Sequence, residues 1–228
     1  MCRCFGRGCH RTTYGTFILT DVSIEEIYTI YSSERIFSAE ECAKLCEIGD
    51  ALPQVDDQRE EQDPLDKVSR DCVNAYLERT DERDFVQEVW ERIRQVLEEA
   101  NETRWKYPVK YLAELLQYTT YTTGGHFDAH TDDPGPWINF VRPYISCSVN
   151  LNCSSEWEGG DLYFPEGSYM EKGWDKPIHF EEQTAQQDIG IVHLYPSTMQ
   201  HGVTPLTSGV RKVIVGWATK DIVKGMQK

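Results

Sequence analysis

No apolar run in this 228-residue chain approaches the roughly 18 residues that a bilayer-crossing helix needs, so no membrane association is expected. Residues 1–20 carry Arg3, Arg7 and Arg11 and no acid. They lack the continuous apolar segment of a secretory signal. A soluble cytoplasmic protein is the expectation, with organelle targeting by residues 1–20 left open. Basic charge is also scarce: 23 Lys and Arg face 38 Asp and Glu, a net charge of −15. Residues 40–99 hold 19 of the acids against 8 basic residues. A surface this negative repels phosphate backbones, whose binding rests on Lys and Arg, so nucleic acid is not an expected partner. No repeat or low-complexity segment interrupts the chain.

Eight cysteines are present, and without a secretion signal they read as reduced thiols rather than a disulfide framework. Cys42 and Cys46 sit four apart on an apolar helical stripe with Leu45 and Leu52, where core filling suffices. Cys2, Cys4, Cys9 and His10 do not match a zinc spacing. Residues 1–36 read as a leader, flexible in its first 20 residues, and 37–228 as a single domain. Ser38-Ala39-Glu40-Glu41 is a capping box with Phe37 placed to staple onto the first turn, and it predicts a helix to about Asp50. Residues 53–69, with Pro53 and Pro64, read as a loop. Phe85, Val89, Trp90, Ile93 and Leu97 recur at helical spacing and predict a second helix from about Asp84 to Asn101. From Val109 onward, short aromatic and β-branched runs split by Gly, Pro and Asn predict a β-sandwich or barrel.

One pattern carries chemistry. Tyr121-x-x-Gly124-x-x-Phe127-x-x-His130-x-Asp132 is followed much later by His201 and by Arg211 ten residues beyond. His and Asp at i and i+2 on an extended strand project to one side, and a second imidazole from another strand completes the two-His, one-carboxylate face of a non-haem Fe(II) site. A cation one strand-length past His201 suits a dicarboxylate that chelates the metal at its other end. Periodicity leaves a rival pair open, because His126-Phe127-Asp128 is also His-x-Asp and strand alternation would point all four side chains the same way. On the strand Ile145–Asn152, Ser146, Ser148 and Asn150 share one face, which is expected to look into the site. Phe127 and Trp217 read as core aromatics, and Pro134–Trp137 as a loop able to wall a substrate groove.

These stretches (121–132, 142–165 and 188–217) resemble, in order, the prolyl 4-hydroxylase-like branch of the Fe(II)/2-oxoglutarate dioxygenases. The resemblance implies an α+β fold, with a double-stranded β-helix (jelly-roll) over 109–220 and N-terminal flanking helices within 37–105. Its spacing selects His130, Asp132 and His201 as metal ligands and leaves His126 and Asp128 at the rim. It implies Arg211 as the anchor for 2-oxoglutarate with Tyr121 as its helper, and the polar face of Ile145–Asn152 adds Asn150 and Ser148 as expected cosubstrate contacts. The implied reaction is hydroxylation of an unactivated C–H bond with Fe(II), 2-oxoglutarate, O2 and L-ascorbate. The expected substrate is a peptide or protein prolyl (or lysyl) side chain, with a free amino acid or small molecule as the alternative. Asp132 stands where halogenating relatives have a small residue, and Trp217 where nucleic-acid demethylase relatives have a second arginine. Two rivals of other classes are a Zn(II) or Mn(II) hydrolase or isomerase and a non-catalytic binding module. Arg211 argues against the first and the complete ligand set against the second.

Overall fold

The computed structural model describes residues 29–59, 68–79, 83–112, 115–132, 143–169 and 178–220. Strand β1 (Tyr31–Arg35) is followed by helix α1 (Ala39–Asp50), β2 (Val55–Arg59), β3 (Arg70–Glu78) and helix α2 (Asp84–Ala100). The remaining strands are β4 (Tyr111–Leu112), β5 (Leu115–Thr122), β6 (His126–His130), β7 (Pro143–Asn150), β8 (Trp157–Gly159) and β9 (Leu162–Phe164). They continue with β10 (Gly167–Tyr169), β11 (Ile178–Phe180), β12 (Gln183–Thr184), β13 (Ile191–Pro196), β14 (His201–Val203) and β15 (Leu206–Thr219). The main hydrogen-bonded path runs β1-β13-β7-β15-β5-β3-β6-β14-β9-β12. It curls over so that β5, β7 and β15 face β6, β9 and β14 across one cavity, the double-stranded β-helix expected from the sequence.

Local signals explain the helices. The Ser38 side chain accepts from the Glu41 backbone at 3.2 Å and the Ser38 backbone donates to the Glu41 carboxylate at 2.7 Å, closing the capping box. Phe37 is buried ahead of it. Along α2, Val86, Val89, Trp90, Ile93 and Leu97 are buried together, each contributing roughly 1.5–3 kcal/mol relative to exposure. Both helices share a core with one face of the sheet, in which Cys42 and Leu45 meet Leu116, Tyr118, Ile145, Cys147, Val149 and Ile214. Alternation along β7 sends Ile145, Cys147 and Val149 to this core and turns Ser146, Ser148 and Asn150 to the cavity side. Burial pushes the Cys42 and Cys147 thiols up to about 12. They fill space as neutral thiols.

Three differences from the sequence expectations follow. Residues 31–35, assigned to a leader, form β1 and pair with β13. The segment 53–69 contains β2, which pairs with β3 from Val55↔Asn74 to Arg59↔Arg70. The region 37–105 is therefore not purely helical, because β3 also joins β5 and β6 in the main sheet. The Cys2, Cys4 and Cys9 cluster and the Pro134–Trp137 loop lie outside the described residues.

Candidate active site

Strand register builds the site. His130 at the end of β6 pairs directly with His201 at the start of β14, and the imidazole centroids stand 4.4 Å apart. Asp132 lies two residues beyond His130, its backbone held by the Ser197 carbonyl at 3.0 Å. Its carboxylate sits 3.5 Å from each histidine Nε2. All three ligand atoms fall within 4.8 Å of one another.

Each ring is aimed by its other nitrogen. His130 Nδ1 donates to the Asp128 carbonyl at 2.9 Å and His201 Nδ1 to the Met199 carbonyl at 3.0 Å. A carbonyl only accepts, so both Nε2 atoms keep a lone pair for an ion. Burial by itself would raise the Asp132 carboxyl, but His201, His130 and the Ser146 hydroxyl, which donates to it at 2.6 Å, hold it well below the usual carboxylate range. Burial likewise lowers His201 below an ordinary imidazole, against the pull of Asp132. Two imidazoles beside an ionised carboxylate are the donor set of a non-haem iron site. The residues present fit such an ion.

His126 and Asp128 turn away from this cluster. His126 Nε2 meets the Ser69 hydroxyl at 2.9 Å and the Asp128 carboxylate accepts from the Ser69 backbone at 3.0 Å. The cause is a β-bulge: Val203 pairs with Phe127 and His201 with His130, so two steps on β14 match three on β6. The extra residue inverts the alternation and puts Phe127, not His126 or Asp128, on the face of His130.

Arg211 lies in the same cavity, 2% exposed and directly opposite Tyr121 in the β15–β5 register. Its Nη2 donates to Asn150 Oδ1 at 2.8 Å, while Nε and Nη1 are buried without a partner among the described residues. Burial lowers its pKa, yet a guanidinium stays protonated, so the N–H groups of two nitrogens and a charge are free to meet an anion. Tyr121 is buried against it, the guanidinium 5.8 Å from the ring centroid. Its phenol is pushed up by burial and stays a neutral donor. Ser148 lines the cavity, and Asn150 reaches it through Arg211. Lys212 turns to the other face and pairs with Asp50 at 2.6 Å. The cavity has a volume of about 120 Å³ and opens to solvent. Trp217 and Phe127, expected in the core, are half-buried on its wall.

Sequence reasoning missed Arg70, which also lines the cavity. It missed Ser197 too, whose hydroxyl meets Ser146 at 2.8 Å behind Asp132. Arg70 lies outside the stretches that carry the resemblance, and Ser197 lies within one but at no position that its spacing singles out.

Residues 116–219 match the family model of the 2OG-Fe(II) oxygenase superfamily. The chain carries a 2OG-Fe(II) oxygenase domain. The chain is 32% identical over 102 residues to a PKHD-type hydroxylase of Gloeothece citriformis, covering 45% of this chain and 41% of the relative. Over 104 residues it is 34% identical to one of Idiomarina loihiensis, covering 46% and 41%. The chain thus matches about two-fifths of the length of these curated relatives. Its fold resembles a prolyl-4-hydroxylase of Pseudomonas putida, with TM-score 0.60 and 15% identity over 85% of this chain and 94% of that one. A viral collagen prolyl hydroxylase of Paramecium Bursaria Chlorella virus-1, determined with 2OG, gives TM-score 0.56 and 15% identity over 86% and 98%. No helix among the described residues is long and apolar enough to cross a membrane.

Proposed function

We propose that the protein is an Fe(II)- and 2-oxoglutarate-dependent dioxygenase that hydroxylates a peptidyl side chain, proline first and lysine second. The observation that carries this reading is Arg211: a buried guanidinium with two unpartnered nitrogens, in the same cavity as a His-Asp-His cluster. His130 Nε2, His201 Nε2 and an Asp132 oxygen would hold the iron. Arg211 would bind the distal carboxylate of 2-oxoglutarate, with Tyr121 donating its phenol hydrogen and Asn150 fixing the guanidinium plane. Ser148 would flank the cosubstrate from β7. When bound, Fe(II) with 2-oxoglutarate and O2 supplies the oxidant that inserts one oxygen atom into a C–H bond, leaving succinate and CO2. Ascorbate is the expected reductant that sustains turnover.

The side chains set the conditions for that chemistry. The Ser146 hydroxyl occupies one lone pair of Asp132 Oδ2 and orients the carboxylate. Leu162, Val203, Val213 and Val215 line the cavity beside the polar groups and exclude water from them. The peptidyl substrate is supported by the related solved structures, among them a Trichoplax adhaerens prolyl hydroxylase in complex with a hypoxia inducible factor peptide fragment. The acidic stretch 40–99 would favour a basic target through long-range attraction that salt weakens.

The test is 2-oxoglutarate turnover against proline-rich and lysine-containing peptides beside free amino acids, read by mass for the gain of one oxygen atom. Turnover confined to free amino acids would sink the peptidyl assignment. A weak visible charge-transfer band from anaerobic Fe(II) plus 2-oxoglutarate checks the cofactor reading separately; its absence would return the Zn(II)/Mn(II) or non-catalytic alternatives.

A further inference from the structure

Arg70 sits at the junction of β3 and β6, where its backbone is in register with Phe127. Its guanidinium lies over the Phe127 ring at 4.3 Å from the centroid, and Phe127 in turn stacks on the His130 imidazole with centroids 3.6 Å apart and planes 18° apart. Guanidinium, ring and imidazole form a continuous pile of contacts ending on a metal-ligand candidate. The bulge in β6 makes the pile possible, since unbroken alternation would send Phe127 and His130 to opposite faces.

The guanidinium is locked in place. Nη1 pairs with Asp57 at 2.9 Å, Nε donates to the Cys72 sulfur at 3.1 Å and Nη2 approaches Asn74 Oδ1 at 3.5 Å. Asn74 in turn donates to Asp57 at 3.0 Å. With its nitrogens engaged by β2 and β3 side chains, Arg70 is a poor receptor for a substrate anion, unlike Arg211. Its planar face is what it offers. A planar cation over an aromatic face is attracted by the ring quadrupole, and at 9% exposure the contact is largely desolvated.

We propose that Arg70 is a positioning residue for the metal centre, clamping the His130 ring through Phe127. The inference rests on the Fe(II) reading above. Two constraints then fix the imidazole: the Asp128 carbonyl at Nδ1 sets where its edge points, and the Phe127–Arg70 pile sets its plane. A lone hydrogen bond leaves the ring free to rock about that axis. The pile removes this freedom before an ion arrives.

The test uses Co(II), inert toward turnover, titrated anaerobically into the metal-free full chain and read by its visible absorption. Arg70→Gln should weaken Co(II) binding by about tenfold, the low end for residues that orient a metal ligand. Its KM for 2-oxoglutarate should stay near wild type because Arg211 is untouched. Phe127→Leu should weaken Co(II) similarly, and the double variant should bind no worse than Phe127→Leu alone, because Arg70 acts through that ring. Wild-type affinity in Arg70→Gln, or a double-variant loss equal to the product of the single losses, overturns the clamp. If Arg70→Gln does not fold, Asp57→Asn loosens the guanidinium from outside the cavity and should weaken Co(II) in the same direction; unchanged affinity there also overturns it. Absence of Co(II) binding in every form, wild type included, would instead overturn the Fe(II) reading on which the clamp rests.

Discussion

At the scale of single residues, the candidate site separates into groups that would hold an ion and a group that would hold an anion. His130→Ala or Asp132→Ala should abolish succinate formation and leave the fold intact, because each removes one of three ligand atoms in a cluster spanning 4.8 Å. His126→Ala should keep most activity, since its ring contacts Ser69 and the Gly124 carbonyl instead. Iron titration of the three variants checks this, and iron loss only in His126→Ala would reverse the assignment. Arg211→Ala should raise the KM for 2-oxoglutarate by one to two orders of magnitude, from a lost charge-assisted contact of roughly 1.5–3 kcal/mol. Iron affinity should barely move in that variant. Steady-state kinetics over a range of 2-oxoglutarate decides it; an unchanged KM would take Arg211 out of the site. Gly160 bears on the same group: at φ +63 its Cβ would meet Leu206 at 2.3 Å and lie 3.4 Å from the Arg211 side chain. The glycine there is therefore required by its backbone angle and by Leu206, and Arg211 is in ordinary contact.

At the scale of elements, the helices lie so close to the sheet that even a methyl group decides the outcome. Gly49 in the last turn of α1 rests on Tyr118, and a Cβ there would stand 2.6 Å from the ring. In a free helix Gly→Ala gains about 1 kcal/mol. Here Tyr118 is fully buried and tethered to Asp50 at 2.7 Å, so the ring cannot yield, and overpacking of about 1–3 kcal/mol should win. Gly49→Ala should lower the thermal midpoint; a rise would refute the close packing. What the sequence revealed follows the same division between local and non-local causes. The capping box of α1 and the stripe of α2 are written in neighbouring residues, and both were legible. Strand β2 was not, because Val55, Asp56 and Gln58 are exposed and a strand that buries little leaves no alternation to read. The β6 bulge was equally silent. It depends on register with β14, and it alone determines which of the two His-x-Asp pairs faces the cavity. Family spacing reached the same pair without the geometry. Arg70 stayed invisible because its meaning lies in Phe127, 57 residues away in the chain.

At the scale of the whole molecule, burial of neutral imidazoles ties stability to pH. His193 on β13 is 1% exposed, with Nδ1 at 2.9 Å from the Ser32 hydroxyl and Nε2 buried without a partner among the described residues. Burial disfavours its charged form, and Arg211 adds to this while the Gln186 backbone and Asp188 oppose it; the result is a pKa lowered from 6.5 to about 4. In the unfolded chain the ring takes up a proton near pH 6.5, whereas in the folded chain it waits until about pH 4. The unfolded state therefore binds more protons between these values, and stability is lost as pH falls through that window. The loss from His193 amounts to roughly 3 kcal/mol, and buried His201 adds in the same direction. Carboxylates with depressed pKa values, such as Asp132, titrate in the folded state only below this range, so the two causes separate on the pH axis. Denaturant unfolding of wild type and His193→Leu at steps from pH 7 to pH 4 isolates the first. Wild type should weaken steadily below pH 6.5 and His193→Leu should weaken less, the gap widening towards pH 4. Parallel curves would mean that His193 is protonated in the folded chain, and hence that Nε2 has found an acceptor or water in solution.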